Sequence, residues 1–257
     1  MIERTYQLPR PDGDMEVFAE HPAGGGAWPA VILYMDMWGF RAALFDIARG
    51  VAAAGYYCVL PDLYYRRGKV RYAARDISGL KLAFADLEPA RQTALRAAMD
   101  GLSDAMVIED TAALLDALSR ESSVRRGPVG AVGYCMGGRH ALCVAGTFPQ
   151  HFKATACLHG TGCVTADDNS PHLLARRADG EVYCGHAERD RYAPPDVVER
   201  LEQALSGCRV RHHWRVHAGA DHGYAMPDRN VFDQKATEQD WETILAMLER
   251  QLLREAA

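Results

Sequence analysis

The chain has 257 residues, of which 48% are hydrophobic and 25% are charged, and its formal net charge is -5. This length and apolar content suffice for one sizeable core and favour one larger domain over two. Acidic and basic residues are interleaved without a basic face, which argues against nucleic acid or an anionic membrane as a partner.

No apolar run approaches the roughly 18 residues of a membrane span, and the N-terminal residues lack the order of charges and apolar residues found in a signal peptide. We therefore expect a cytoplasmic protein. The seven cysteines are an odd number and lie mostly within apolar runs. This pattern is typical of reduced, buried thiols rather than of a disulfide framework.

Short apolar runs of strand length alternate with longer helical patterns along the chain. The runs are MEVFAEH, PAVILYM, YYCVL, VGAVG, KATACLH, EVYCG and VRHHWRVH. Helical periodicity predicts helices in RAALFDIARGVAAAG, over 104–120, after Cys135, in PPDVVERLEQAL and from about 233 to 254. This order predicts an α/β fold with a mostly parallel central sheet and helices on both faces.

The segment 66–101 is rich in Ala, Arg and Asp and has a weaker period. We expect it to form irregular or helical cover near the carboxyl edge of the sheet, where functional loops usually lie. No repeat, low-complexity segment or linker divides the chain. One domain over residues 1–257 is the prediction.

The stretch GYCMG, from Gly133 to Gly137, has the form G-x-C-x-G and joins a predicted strand to a predicted helix. This is the pattern of a nucleophile elbow with cysteine in place of serine, in which glycines allow strand and helix to approach closely. The positive end of the helix would stabilise a Cys135 thiolate. A buried structural cysteine beside a glycine-rich turn is the alternative.

A thiol nucleophile needs a base, and the base needs an acid to orient it. Asp190 follows the predicted strand EVYCG, and His222 follows the next predicted strand, so both are expected at the same sheet edge as Cys135. His212, His213 and His217 compete for the role of base, but they lie within or at the end of a strand, where at least some serve packing or face solvent.

A metal site is a further alternative, because His159 and His186 also follow strands near Cys157, Cys163 and Cys184. The spacing C-x-H-x-x-x-C matches no common zinc module, so the sequence favours a site with no metal and no cofactor.

Together with the elbow, the motifs VLPDLYYRRG, GHAERDRYAP and GADHGYAMPDR resemble the dienelactone hydrolase family of α/β-hydrolases over most of the chain. The resemblance implies an α/β-hydrolase fold, a cysteine nucleophile at Cys135, and the acid and base at Asp190 and His222.

The same resemblance assigns roles to the segment YMDMWGF. A family carboxylate that influences the protonation of the resting thiol corresponds to Asp36, with a solvated or loop-capping aspartate as the alternative. The oxyanion-hole amides correspond to those of Met37 and Met136.

Substrate-binding residues are less well defined by the motifs. Family members hold a substrate carboxylate with arginines, one of them four residues after the histidine, where this chain has Met226. Arg229 lies three residues further on, and Arg91, in the cover segment, corresponds to the family's other arginine; a surface location is the alternative for either. Aromatic residues near the motifs are candidates for the pocket wall, with a core location as the alternative. They are Trp38, Tyr64, Tyr134, Tyr192 and Tyr224.

These features predict a cysteine hydrolase of small esters or lactones that works through a thioester without cofactor or metal. Two other classes remain open: a catalytically idle α/β-hydrolase that binds a ligand, and a redox-responsive thiol protein. Neither of these needs Asp190 and His222 in triad order. The oligomeric state is left open by the sequence.

Overall fold

The computed structural model describes residues 1–72 and 81–253. Eight strands in these ranges form one sheet, in the order β1-β2-β4-β3-β5-β6-β7-β8. The strands are β1 (Ile2–Arg10), β2 (Gly13–His21), β3 (Ala30–Tyr34), β4 (Tyr57–Pro61), β5 (Val129–Tyr134), β6 (Phe152–Leu158), β7 (Glu181–Arg189) and β8 (Arg211–Asp221). β1 and β2 pair antiparallel, as do β2 and β4, and every pair from β4 to β8 is parallel.

Helices cover both faces of this sheet. The helices are α1 (Ala42–Ala53), α2 (Pro89–Asp100), α3 (Asp104–Arg120), α4 (Met136–Thr147), α5 (Pro171–Ala175), α6 (Pro195–Ser206) and α7 (Gln234–Leu248). Neighbouring residues of β7 point to opposite faces: Tyr183 bonds to Asp240 of α7, whereas Cys184 faces Glu202 of α6. α6 and α7 therefore lie on opposite sides of the sheet. α4 packs on β3, β5 and β6, and α1 on β2 and β4.

The core lies along the central strands. Every residue of β3, β4 and β5 is buried, as expected for parallel strands covered on both faces. This arrangement confirms the predicted α/β-hydrolase fold with its mostly parallel sheet. None of the helices in the described ranges is both long and apolar enough to cross a bilayer.

The structure adds three elements that the apolar pattern did not predict: β1, α2 and α5. β1 is an edge strand whose first four residues are exposed, so it has no apolar run to mark it. α2 carries only two buried residues, Leu95 and Ala98, and α5 has five residues. α2 and the 3-10 turn at Phe84–Asp86 fall in the predicted cover 66–101, and the 3-10 turn at Tyr65–Arg67 begins one residue before it. Residues 73–80 of this cover lie outside the described ranges, and one domain over 1–257 stays a prediction.

Candidate active site

The strand-to-helix corner at Cys135 has the strained backbone of a nucleophile elbow. Cys135 has φ 57°, in the left-handed region, and precedes the first residue of α4. A Cβ atom at Gly133 would lie 1.9 Å from the Gly137 carbonyl oxygen, and one at Gly137 would lie 2.2 Å from that of Tyr34. Glycine is therefore required on both sides of the cysteine, because any side chain there would collide with backbone.

Three side chains from separate loops meet at this corner. His222 follows the end of β8, and its Nε2 lies 3.3 Å from Cys135 Sγ. The other ring nitrogen, Nδ1, donates to Asp190 Oδ2 at 2.7 Å, and Asp190 follows the end of β7. The Tyr192 amide donates to the second Asp190 oxygen at 2.8 Å and fixes the carboxylate. The geometry is that of a nucleophile, a base and an orienting acid.

The charges at the site favour a protonated His222. Burial alone lowers the pKa of His222, but attraction to Cys135 and the hydrogen bonds to Asp190 and Cys135 outweigh it and raise that pKa to about 10. At neutral pH the imidazolium therefore faces the sulfur on one side and the carboxylate on the other.

Asp36 is held in a buried charge network beside the site. Arg41 donates to its two oxygens at 2.5 and 3.0 Å, and the Trp38 amide donates to Oδ1 at 3.1 Å. Arg41 also donates to both oxygens of Asp228, at 2.6 and 3.1 Å. The Asp36 side chain therefore accepts hydrogen bonds from Arg41 and Trp38. No hydrogen bond between Asp36 and Cys135 occurs among the described residues. Its predicted influence on the thiol stays a prediction.

Neither of the two predicted oxyanion amides has an acceptor among the described hydrogen bonds. Met136 is the first residue of α4, so its N–H has no acceptor within the helix. No acceptor for the Met37 amide appears among the described hydrogen bonds. The Tyr64 hydroxyl donates to the Met37 carbonyl at 3.0 Å and lies 3.6 Å from Met136 Sδ. Tyr64 therefore bridges the two segments that carry these amides.

Arg229 is a half-buried cation beside this site. Its guanidinium lies 4.5 Å from the ring centroid of Trp38, and its Nε is buried without a hydrogen-bond partner among the described residues. Burial lowers the pKa of Arg229, and attraction to Asp36, Asp228 and Cys135 acts against that effect. No ion pair within 4.0 Å joins Arg229 to a carboxylate of the described residues.

The remaining predicted pocket residues separate into two groups. Tyr192 is 49% exposed, and its ring lies 4.8 Å from that of His222, so it flanks the base at the surface. Tyr134, Tyr224 and Met226 are fully buried. Tyr224 donates to Asp240 at 2.5 Å, away from Cys135.

Arg91 is exposed on α2 and stacks 5.6 Å from the Tyr72 ring, without a described contact to the triad.

Two neighbours of the nucleophile were not predicted as site residues. Thr161 donates its amide to the Cys135 carbonyl at 3.1 Å and places its hydroxyl 3.9 Å from Sγ. His159 has φ 38° and packs its ring 5.1 Å from that of His222. Burial, with His222 and Arg229 acting in the same direction, lowers the pKa of His159 well below its usual value, so this ring is neutral. Their position after β6, at the same sheet edge, is the only sequence signal.

Comparison with known proteins identifies the family of the chain. The sequence pattern of the dienelactone hydrolase family matches residues 15–252. A carboxymethylenebutenolidase from Rhodococcus opacus is 26% identical over 88% of this chain and 83% of its own length. A Synechocystis protein with a provisional carboxymethylenebutenolidase name is 24% identical over 97% of this chain and 98% of its own.

A solved structure from Klebsiella pneumoniae, provisionally assigned as a dienelactone hydrolase, superposes with a TM-score of 0.81 at 23% identity. It covers 97% of this chain and 98% of its own. The family match spans most of the chain and includes the three loops that meet at the elbow. The chain therefore belongs to the dienelactone hydrolase family and is a hydrolase of that family.

Proposed function

We propose that the protein hydrolyses small esters or lactones with Cys135 as the nucleophile. The observation that carries this proposal is the chain of contacts from Cys135 Sγ through His222 to Asp190, at 3.3 and 2.7 Å. A cysteine on a strained elbow, facing a protonated histidine, is the arrangement needed for a thiolate nucleophile.

In the proposed reaction the Cys135 thiolate attacks the substrate carbonyl carbon, and the carbonyl oxygen becomes an oxyanion held by the Met37 and Met136 amides. His222 gives its Nε2 proton to the leaving alkoxide, and a thioester forms on Cys135. The neutral His222 then takes a proton from water, the hydroxide attacks the thioester, and the acid product leaves. Asp190 keeps the imidazole oriented throughout.

We further propose that the acyl part of the substrate carries a negative charge. Arg229 is a half-buried cation whose buried Nε has no partner among the described residues, and it interacts electrostatically with Cys135. A carboxylate in the same pocket would supply the missing partner. The Rhodococcus relative is named for a carboxymethylenebutenolide, a lactone with a carboxyl group. The proposed reaction needs no cofactor, and the proposed location is the cytoplasm.

The test is turnover of a panel of small esters and lactones, with and without a carboxylate, by wild type, Cys135→Ala and His222→Asn. Losing either residue should lower kcat by about 1000-fold or more, because the triad acts as a unit. Cys208→Ala is the matched control, since this thiol lies at the end of α6 and contacts the Ala204 carbonyl. Normal turnover by Cys135→Ala would refute the nucleophile, whereas ligand binding without turnover in wild type would support an idle binding protein.

A further inference from the structure

A second cluster of reactive side chains lies where α6 covers β7 and β8, apart from the triad. Cys184 comes from β7, Glu202 from α6 and His212 from β8. One potential ligand atom from each lies within 4.8 Å of the other two. Cys184 is fully buried, Glu202 is 5% exposed, and the side chain of His212 is 4% exposed.

Strand register explains why these residues meet. His212 pairs with Val182, and Trp214 pairs with Cys184, in the parallel ladder between β7 and β8. Alternate residues of paired strands share a face, so Cys184 and His212 point to the same side. α6 packs on that side through Val198, Leu201 and Leu205, and Glu202 is carried there with them.

Two ligand atoms of this cluster, on His212 and Glu202, already face each other as a buried ion pair. His212 Nε2 and Glu202 Oε2 are 2.7 Å apart, yet the contact lacks hydrogen-bond geometry, and neither atom has another partner among the described residues. The other Glu202 oxygen, Oε1, is bonded to His186 Nε2 at 2.7 Å. Because this contact is misaligned, it satisfies the two buried atoms poorly, and a cation held by them together with Cys184 would satisfy them better.

We propose that Cys184, Glu202 and His212 bind one Zn²⁺ ion. Thiolate, carboxylate and imidazole are the three ligand types that Zn²⁺ takes in proteins, and three protein ligands leave a fourth position for water. Binding replaces the Cys184 thiol proton, which is released to solvent, while His212 ligates as the neutral imidazole. His186 holds the second Glu202 oxygen and orients the carboxylate, as outer partners of metal ligands do.

This ligand set differs from the one that the sequence raised and disfavoured. Of the residues considered there, only Cys184 contributes a ligand. Glu202 and His212 come from the following helix and strand, without a local zinc motif. The ion would fasten α6 to the sheet, and α6 begins just after the loop that carries Asp190.

The test uses the full-length Cys135→Ala protein, in which the nucleophile cannot hold metal. Co²⁺ replaces Zn²⁺ as a spectroscopic probe, because a thiolate ligand gives an intense charge-transfer absorption. We expect this absorption on Co²⁺ addition, its displacement by Zn²⁺, and a rise in melting temperature with Zn²⁺. Adding Cys184→Ser should abolish the absorption, and adding Glu202→Gln or His212→Asn should weaken Zn²⁺ binding by about 10-fold or more.

Cys208→Ser is the matched control, because it removes a thiol from the end of the same helix and should leave the absorption unchanged. If Cys184→Ser does not fold, the Glu202→Gln and His212→Asn variants decide the question through the Zn²⁺ affinity. Absence of the absorption in the Cys135→Ala protein would overturn the proposal. Zn²⁺ binding to the Glu202→Gln and His212→Asn variants that is as strong as binding to the Cys135→Ala protein would also overturn it.

Discussion

At the scale of single residues, the proposed role of Cys135 depends on the charge of His222. The His222 pKa of about 10 depends in part on the hydrogen bond to Asp190. Asp190→Asn removes the negative partner, so we expect the His222 pKa to fall below about 10. NMR titration of labelled histidine side chains in both proteins measures this change. An unchanged His222 pKa would show that Asp190 does not stabilise the imidazolium.

Arg229 is the residue on which substrate preference is proposed to depend. A charge-assisted hydrogen bond contributes about 1.5–3 kcal/mol, so Arg229→Gln should lower kcat/KM for a carboxylate-bearing ester by about 10- to 100-fold. A neutral ester of the same size should lose much less. Arg96→Gln, an exposed arginine on α2 that stacks on Phe84, is the control. Equal losses for both esters would mean that Arg229 supports the fold rather than the substrate.

At the scale of elements, Arg41 joins the segment after β3 to the loop after β8. It is 7% exposed and neutralises both Asp36 and Asp228. Arg41→Met would leave two buried carboxylates without their cation, and breaking such a pair typically costs about 3–5 kcal/mol. Urea unfolding measures the loss, and hydrolysis should fall as well because the Met37 amide lies in the same segment.

The control for Arg41 is Arg49→Met on α1. Arg49 pairs with Glu3 and Asp46, but its side chain is 41% exposed, so the expected loss is below about 1 kcal/mol. Similar losses for the two variants would contradict the assignment of a buried network around Arg41.

Local sequence signals predicted the elements that carry the three proposed triad residues. They could not predict contacts between residues that are far apart in the chain. The strands before Cys135, Asp190 and His222 have apolar runs, and α3 occupies the predicted range 104–120. The partnership of Arg41 with Asp228 joins distant parts of the chain and has no pattern within either segment. β1 was missed because an exposed edge strand does not need apolar residues.

At the scale of the whole molecule, Asp240 joins α7 to the sheet and to the loop of the base. It is fully buried and accepts hydrogen bonds from Tyr183, Tyr224 and His217, at 2.6, 2.5 and 2.6 Å. Asp240→Ala would leave three buried donors unpaired, each at a cost of about 1–3 kcal/mol. We therefore expect a loss of more than about 3 kcal/mol in the free energy of unfolding.

Chemical denaturation of Asp240→Ala, beside the exposed-site variant Asp116→Ala, measures this contribution. A change below about 1 kcal/mol for Asp240→Ala would mean that water or rearranged side chains satisfy the three donors. The predicted loss in the free energy of unfolding would show that the three hydrogen bonds to Asp240 stabilise the fold.

The central claim is that hydrolysis passes through a thioester on Cys135. Its most direct test is rapid acid quenching during turnover of an accepted ester, followed by intact-mass measurement and peptide mapping. The account predicts one added acyl group on the peptide that contains Cys135, which disappears as substrate is exhausted and is absent from Cys135→Ala. Turnover with the acyl group on another residue, or undiminished turnover by Cys135→Ala, would contradict it.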